Sequence, residues 1–206
     1  MFIGVWNKSV ILTYIGLFFS VIGMYLAFTN ENILYAFSCL MVSGVCDLFD
    51  GKVARMCKRT EKEKKFGVEL DSLADTVCFV VFPIIILLNM GLTKIYHVPA
   101  FCFFALAGVA RLGYFNVSLD EDNLSTPVKY YSGLPVTAIA MLLPLAQLIS
   151  ILIGIKDYSI YYLVIITLIG LLNILNIKIK KPGGLAYPIA AILAVIMLVL
   201  FIGVLW

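Results

Sequence analysis

The chain has 206 residues, 63% of them hydrophobic and 13% charged, with a mean hydropathy of +1.06 and a formal net charge of +3. A soluble domain is about 45–50% apolar and about 25% charged, so lipid is the solvent for most of this chain. No nucleic-acid partner is expected. One hydrophobic bundle, an all-α polytopic membrane domain over residues 1–206, accounts for the whole length and leaves little for a separate soluble module.

A spanning helix needs about 20 mostly apolar residues, and seven such runs follow in chain order: Ser9–Phe28, Ile33–Phe49, Leu70–Asn89, Val98–Phe115, Leu134–Ile155, Tyr158–Leu175 and Leu185–Trp206. The first is too long for a signal-peptide core and lacks a small-residue cleavage site, so a retained helix is expected. The second is short and is expected to continue as helix past the membrane surface. Pro83 lies inside the third, where it should bend the helix or free a carbonyl. The sixth is marginal in length, and Pro182-Gly183-Gly184 sets the seventh apart.

Lysine and arginine placement orients the spans. With a cytoplasmic N-terminus, thirteen basic residues fall on inside segments, including Lys8, the run from Lys52 to Lys65, Arg111, Lys129 and Lys178–Lys181. Only Lys94 and Lys156 fall outside. Much of the 52–65 run reads as a solvated basic loop facing lipid headgroups. The five cysteines include no C-x-x-C pair and read as small buried hydrophobes. The single histidine, His97, reads as a solvated loop residue, and zinc chemistry is not expected.

Four of the twelve acidic residues stand at span ends: Asp47 and Asp50, then Asp71 and Asp75. Spacings of i,i+3 and i,i+4 put each pair on one helix face. The second span ends on the side where the third begins, so two antiparallel helices can aim all four carboxylates into one cavity. Ionisable groups in spans are costly and functional by default. Four like charges this close repel unless a cation neutralises them. Carboxylate oxygens suit magnesium, manganese or calcium, and four of them can hold two divalent ions that bridge phosphate oxygens. Gly51 and Ala54, one turn apart, leave a groove for close approach to the backbone, and Gly67 could do the same at the mouth of the third helix. Arg55, on the same turn, can pair with phosphate. Small residues packed between membrane helices are the plainer alternative for Gly51 and Ala54.

These residues resemble the signature of the CDP-alcohol phosphotransferase family, D-x-x-D-G-x-x-A-R, a spacer, then G-x-x-x-D-x-x-x-D. Here it reads Asp47, Asp50, Gly51, Ala54 and Arg55, then Gly67, Asp71 and Asp75. The spacer, residues 56–66, exceeds the usual length of about eight, and the Lys-Glu-rich excess is expected to form a longer surface loop. Within the family the chain is most similar to the CDP-diacylglycerol–serine branch. That likeness rests on Glu69-Leu70-Asp71-Ser72-Leu73-Ala74-Asp75, Arg111-Leu112-Gly113-Tyr114-Phe115-Asn116 and Tyr131-Ser132-Gly133-Leu134-Pro135. It covers about residues 1–175 and leaves the last hydrophobic segment, about 185–206, as an addition to a six-helix core.

The resemblance implies transfer of the phosphatidyl group of CDP-diacylglycerol to the L-serine hydroxyl, with release of CMP. It implies Asp47, Asp50, Asp71 and Asp75 as ligands of two Mg2+ or Mn2+ ions, with Ca2+ a substitute or inhibitor, and Asp75 also as general base. Asp47, Gly51, Ala54, Arg55 and Gly67 would contact the cytidine diphosphate. Arg111, Asn116, Lys129 and Glu69 are candidates for holding serine, with snorkelling and loop solvation as the plainer readings of Arg111 and Lys129. Asp120-Glu121-Asp122 reads as a solvated acidic loop. A homodimer is also implied, and the lysine and arginine bias puts its site on the cytoplasmic face of the cell membrane. The competing readings are a sister enzyme using glycerol phosphate or inositol phosphate, a divalent-cation carrier, and a scaffold that has lost catalysis.

Overall fold

The computed structural model describes residues 4–29, 32–121, 130–155, 157–180 and 186–203. After a short 3-10 turn at Lys8–Val10 come helices α1 (Ile11–Thr29) and α2 (Leu34–Met56). Helix α3 (Glu61–Asp75) runs through a π turn (Thr76–Val81) into α4 (Phe82–Asn89) as one continuous rod. Then follow α5 (Val98–Glu121), α6 (Ile139–Ile153), α7 (Tyr158–Ile174) and α8 (Ala186–Gly203). Each of the seven predicted spans thus has its helix. Among the described residues five helical stretches are long and apolar enough to cross a membrane, and Tyr158–Ile174 and Ile192–Phe201 are shorter apolar helices.

The π turn has a local cause. Pro83 has no N–H to return to the carbonyl four residues back, and the ladder widens immediately before it. Helix α2 does run on past Phe49, to Met56.

The basic spacer differs from expectation. Its Lys-Glu-rich half is helix, because Thr60 closes a capping box with Glu63: the Thr60 hydroxyl accepts from the Glu63 N–H, and the Glu63 carboxylate accepts from the Thr60 N–H at 2.7 Å. Residues 61–66 therefore add more than a turn to the start of α3, and Gly67 lies inside the helix rather than at its mouth. The Asn7 amide donates to Glu63 at 2.8 Å, tying the start of the chain to this cap.

At the opposite end of the bundle the reading of His97 is corrected. Its side chain is buried. Nδ1 accepts from the Lys94 N–H at 3.2 Å, and Nε2 lies 2.7 Å from the Ser159 hydroxyl. The loop preceding α5 is thereby fastened to the start of α7. The five cysteines are free thiols, but the expectation of burial holds only for Cys46 and Cys78: Cys39 and Cys57 are half-buried and Cys102 is exposed.

Side chains from α2, the π turn, α4, α5, α6 and α7 meet in the core, where Phe37, Phe79, Phe82, Phe104, Ile139 and Tyr162 are fully buried. Small residues set the helix separations: a Cβ on Gly44 would stand 2.5 Å from that of Ala140. The Tyr162 hydroxyl donates to Gln147, so the buried phenol is satisfied. Helix α8 packs on α2, with Phe201 and Phe37 edge to face at 6.1 Å. Phe18, Leu106 and Leu152 stand outward and exposed, an arrangement that suits a lipid surround. One departure from pure helix was not expected: β1 (Tyr130–Ser132) and β2 (Lys178–Lys180) pair antiparallel, Tyr130 opposite Lys180.

Candidate active site

Helices α2 and α3 bring their aspartates together where α2 ends and α3 begins. One carboxylate oxygen from each of Asp47, Asp71 and Asp75 lies within 4.8 Å of the others. Asp50 adjoins this trio, with its carboxyl in hydrogen-bonding reach of Asp71. Asp50 and Asp75 are buried. The i,i+3 and i,i+4 spacings work as the helical period requires.

Two further elements reach the cluster. The Thr13 hydroxyl of α1 donates to Asp50 at 3.1 Å, and the Thr137 hydroxyl, in the 3-10 turn before α6, reaches Asp47. Neither threonine was singled out in the sequence. A lone hydroxyl in an apolar span carries no periodic signal, and only its neighbours in space give it meaning. One turn deeper than Asp75, Cys78 sits against Ser20 and Ser43, whose hydroxyls are 3.0 Å apart.

Among the described residues no basic side chain is within ion-pair distance of the four aspartates, although the Arg55 guanidinium acts on Asp50 from farther off. Several like charges gathered at the edge of an apolar bundle, with no ion-paired basic side chain among the described residues, fit a divalent cation, and an all-oxygen donor set fits a hard one. The residues present therefore suit Mg2+, Mn2+ or Ca2+ and not a thiophilic metal.

The remaining predicted residues divide. Gly51 faces open space apart from the Arg55 guanidinium, 3.6 Å from where its Cβ would be. Ala54 is half-buried and Arg55 exposed, so this turn of α2 presents a small-residue surface beside an available cation. Gly67 has the Arg59 guanidinium at 3.9 Å from its own Cβ position. Arg59, read in the sequence as part of a solvated run, is half-buried over that glycine.

Asn116 is occupied: its amide donates to the Ser72 hydroxyl at 2.8 Å, and that hydroxyl donates back at 3.0 Å. The pair braces α5 against α3 beside Asp71, which leaves Asn116 a bracing role. Glu69 is exposed; two residues before Asp71, it points about 200° around the helix from it. The structure does not bring it to the carboxylates. Lys129 lies outside the described residues. Arg111 is buried, its guanidinium 5.4 Å from the centre of the Phe115 ring. It lines a cavity between α5 and α7 and does not snorkel to a free surface. Gly133 has φ +76°, and a Cβ there would meet the Asn173 carbonyl at 2.8 Å. Only glycine fits that corner.

Comparison with known proteins agrees with this geometry. The chain is 42% identical over 108 residues to a CDP-diacylglycerol–serine O-phosphatidyltransferase of Saccharomyces cerevisiae, a match covering 50% of this chain and 38% of that protein. It is 32% identical over 168 residues to the protein of that name from Helicobacter pylori (strain ATCC 700392 / 26695), covering 76% and 66%. With that of Methanocaldococcus jannaschii it shares 37% over 150 residues, covering 72% and 65%. The chain thus spans about two fifths to two thirds of the length of these relatives. The sequence profile of the CDP-alcohol phosphatidyltransferase family matches residues 6–205, taking in α8 as well as the helices before it. With that match over nearly its whole length, and with the aspartates of the family signature gathered at one site, the chain belongs to the CDP-alcohol phosphatidyltransferase family.

Proposed function

We propose that this chain, read as a single catalytic domain over 1–206, is a CDP-diacylglycerol–serine O-phosphatidyltransferase. The observation that carries the reading is the convergence of Asp47, Asp71 and Asp75 from two helices to within 4.8 Å, on the family's own motif. The names of the relatives support serine as acceptor.

Asp47, Asp50, Asp71 and Asp75 would hold the divalent ions, Mg2+ or Mn2+ and two in number. Such ions, when bound, offset the charge of the diphosphate and of the departing CMP. Asp75 accepts the proton of the serine hydroxyl as its oxygen forms a bond to the β-phosphorus. The bond from that phosphorus to the CMP oxygen breaks, and phosphatidylserine and CMP separate. Thr13 and Thr137 hold Asp50 and Asp47 in place. Gly51, Ala54, Arg55 and Gly67 receive the cytidine diphosphate, with Arg55 and Arg59 as its cationic partners. The Ser72–Asn116 pair sets the rotation of α3, and so the aim of Asp71 and Asp75. We place the site on the cytoplasmic side of the cell membrane with the N-terminus inside, from the thirteen-to-two charge bias. A homodimer is proposed on family resemblance.

The test is CMP release by purified protein from CDP-diacylglycerol with serine and Mn2+ or Mg2+. Release with serine is expected. Release only with glycerol phosphate or inositol phosphate would move the chain to a sister activity, and metal flux without nucleotide would favour a carrier.

A further inference from the structure

A buried hydroxyl near the carboxylates is used by none of the steps above. Ser9, in the 3-10 turn that opens α1, is only 3% exposed, and its Oγ has no hydrogen-bond partner. Its backbone is settled, since the Ser9 N–H donates to the Asn7 side-chain oxygen at 3.2 Å. The hydroxyl alone is left unmet. A buried polar atom with nothing to bond is costly, and it marks a place where a ligand or an ordered water completes the bonding.

The surroundings of Ser9 form the approach to the aspartates. Its turn packs on both α2 and α3. Along α3, Glu63, Gly67 and Asp71 recur every four residues and so share one face. The start of the chain meets that face level by level. The Asn7 amide donates to Glu63 at 2.8 Å, and Val10 stands 3.9 Å from where a Cβ on Gly67 would be. One turn on, Thr13 donates to Asp50, whose carboxyl is in reach of Asp71. Ser9 precedes Thr13 by four residues, a rise of about 6 Å, so it lies one turn from the carboxylates on the side where α3 begins. The Arg59 guanidinium is at this level too, 3.9 Å from the Gly67 Cβ position. Among the described residues it forms no ion pair, and it acts on Glu63 only from farther off.

We propose that Ser9 is a binding residue for the cytidine diphosphate, its hydroxyl donating to a phosphate oxygen that the Arg59 guanidinium also contacts. A hydroxyl and a guanidinium beside a glycine with no side chain to obstruct them make a cradle for one phosphate. The first turn of a long helix favours the same charge. The inference rests on the CDP-lipid reading above and adds α1 to a nucleotide site that the signature residues place on α2 and α3. Phosphate is also carried by the headgroups of ordinary phospholipids, and the test separates the two sources.

The test measures binding of CDP in the presence of Mg2+ to the purified wild type, S9A and S9C by isothermal titration calorimetry. S9A removes the unmet hydroxyl, so its thermal midpoint without nucleotide should equal or exceed that of the wild type. Its Kd for CDP should rise about tenfold, the low end for one lost hydrogen bond to a charged group. S9C keeps the size of the side chain with a weak donor, and its Kd should rise nearly as far. In the CMP-release assay the KM for CDP-diacylglycerol should rise while the serine KM stays within about twofold, a split that a merely structural role would not produce. A second arm measures inhibition by phosphatidate in nanodiscs. An unchanged Kd for CDP in both variants overturns the inference, and a shift in phosphatidate inhibition alone then assigns the hydroxyl to a headgroup. The proposed function stands in either case, because the wild type still binds CDP. A wild type that binds no CDP overturns both.

Discussion

The bundle carries a buried polar cluster at each end, and the two are satisfied in different ways. At one end His97 is enclosed with both ring nitrogens engaged, by the Lys94 N–H and the Ser159 hydroxyl, and Ser159 is itself held by Asp157 through its N–H at 2.9 Å. With Nδ1 accepting, Nε2 carries the hydrogen and donates to Ser159. At the other end Asp47, Asp50, Asp71 and Asp75 meet Thr13 and Thr137 but form no ion pair with a basic side chain, among the described residues. A cluster that completes its own bonding, like that of His97, holds structure together. One that leaves like charges facing each other is built for something from outside the chain. This contrast separates the two roles more reliably than residue type, since an isolated histidine draws more suspicion in a sequence than a threonine does.

Substitutions should divide along the same line. The largest effect is expected from Asp75→Asn, which keeps size but removes the base and one ligand. CMP release should fall by about 10^2–10^4-fold, while binding of CDP-diacylglycerol, followed by titration, is partly kept. Full activity would remove Asp75 from the role of base. His97→Ala should do the reverse: it leaves the Ser159 and Lys94 groups unmet and costs about 1–3 kcal/mol of stability. Thermal melting should detect that loss, with kcat of the folded fraction unchanged. A fall in kcat with no loss of stability would break the comparison.

Ser72→Ala lies between the two, because it loosens α3 against α5 without touching a ligand. A loss of about 0.5–1.5 kcal/mol and a several-fold drop in kcat are expected, with the KM for serine little changed. A change confined to the serine KM would instead return Asn116 to acceptor binding. Glu69→Gln should be the mildest, with kcat and both KM values within about twofold, since its side chain is exposed and turned away from the site. A large rise in its serine KM would show that the exposed face of α3 is part of the acceptor site.

Much of this was legible in the sequence because its causes are local and periodic. The spans follow from apolar runs of sufficient length, and the aspartate pairs from i,i+3 and i,i+4 spacing on helices that meet at one end. Helix α3 was read too short. The capping signal at Thr60 and Glu63 was present, but the charged composition of the stretch read as loop. His97 was misread for a similar reason: its partner Ser159 is sixty-two residues away, and no local pattern reports such a contact. Thr13 and Thr137 share that difficulty. Each is an ordinary polar residue in an apolar run until the fold sets it beside a carboxylate. Gly133 was legible as part of a motif, but its reason, three carbonyls at the end of α7, was not.

The most direct test of the central claim is the binding of Mn2+ to the purified protein, read by electron paramagnetic resonance and by metal content after desalting. The wild type should hold Mn2+ with a stoichiometry of two when CDP-diacylglycerol is present, and Asp71→Asn should lose at least one of those ions. Mn2+ bound no better by the wild type than by a protein with Asp47, Asp71 and Asp75 all changed to asparagine would contradict the account.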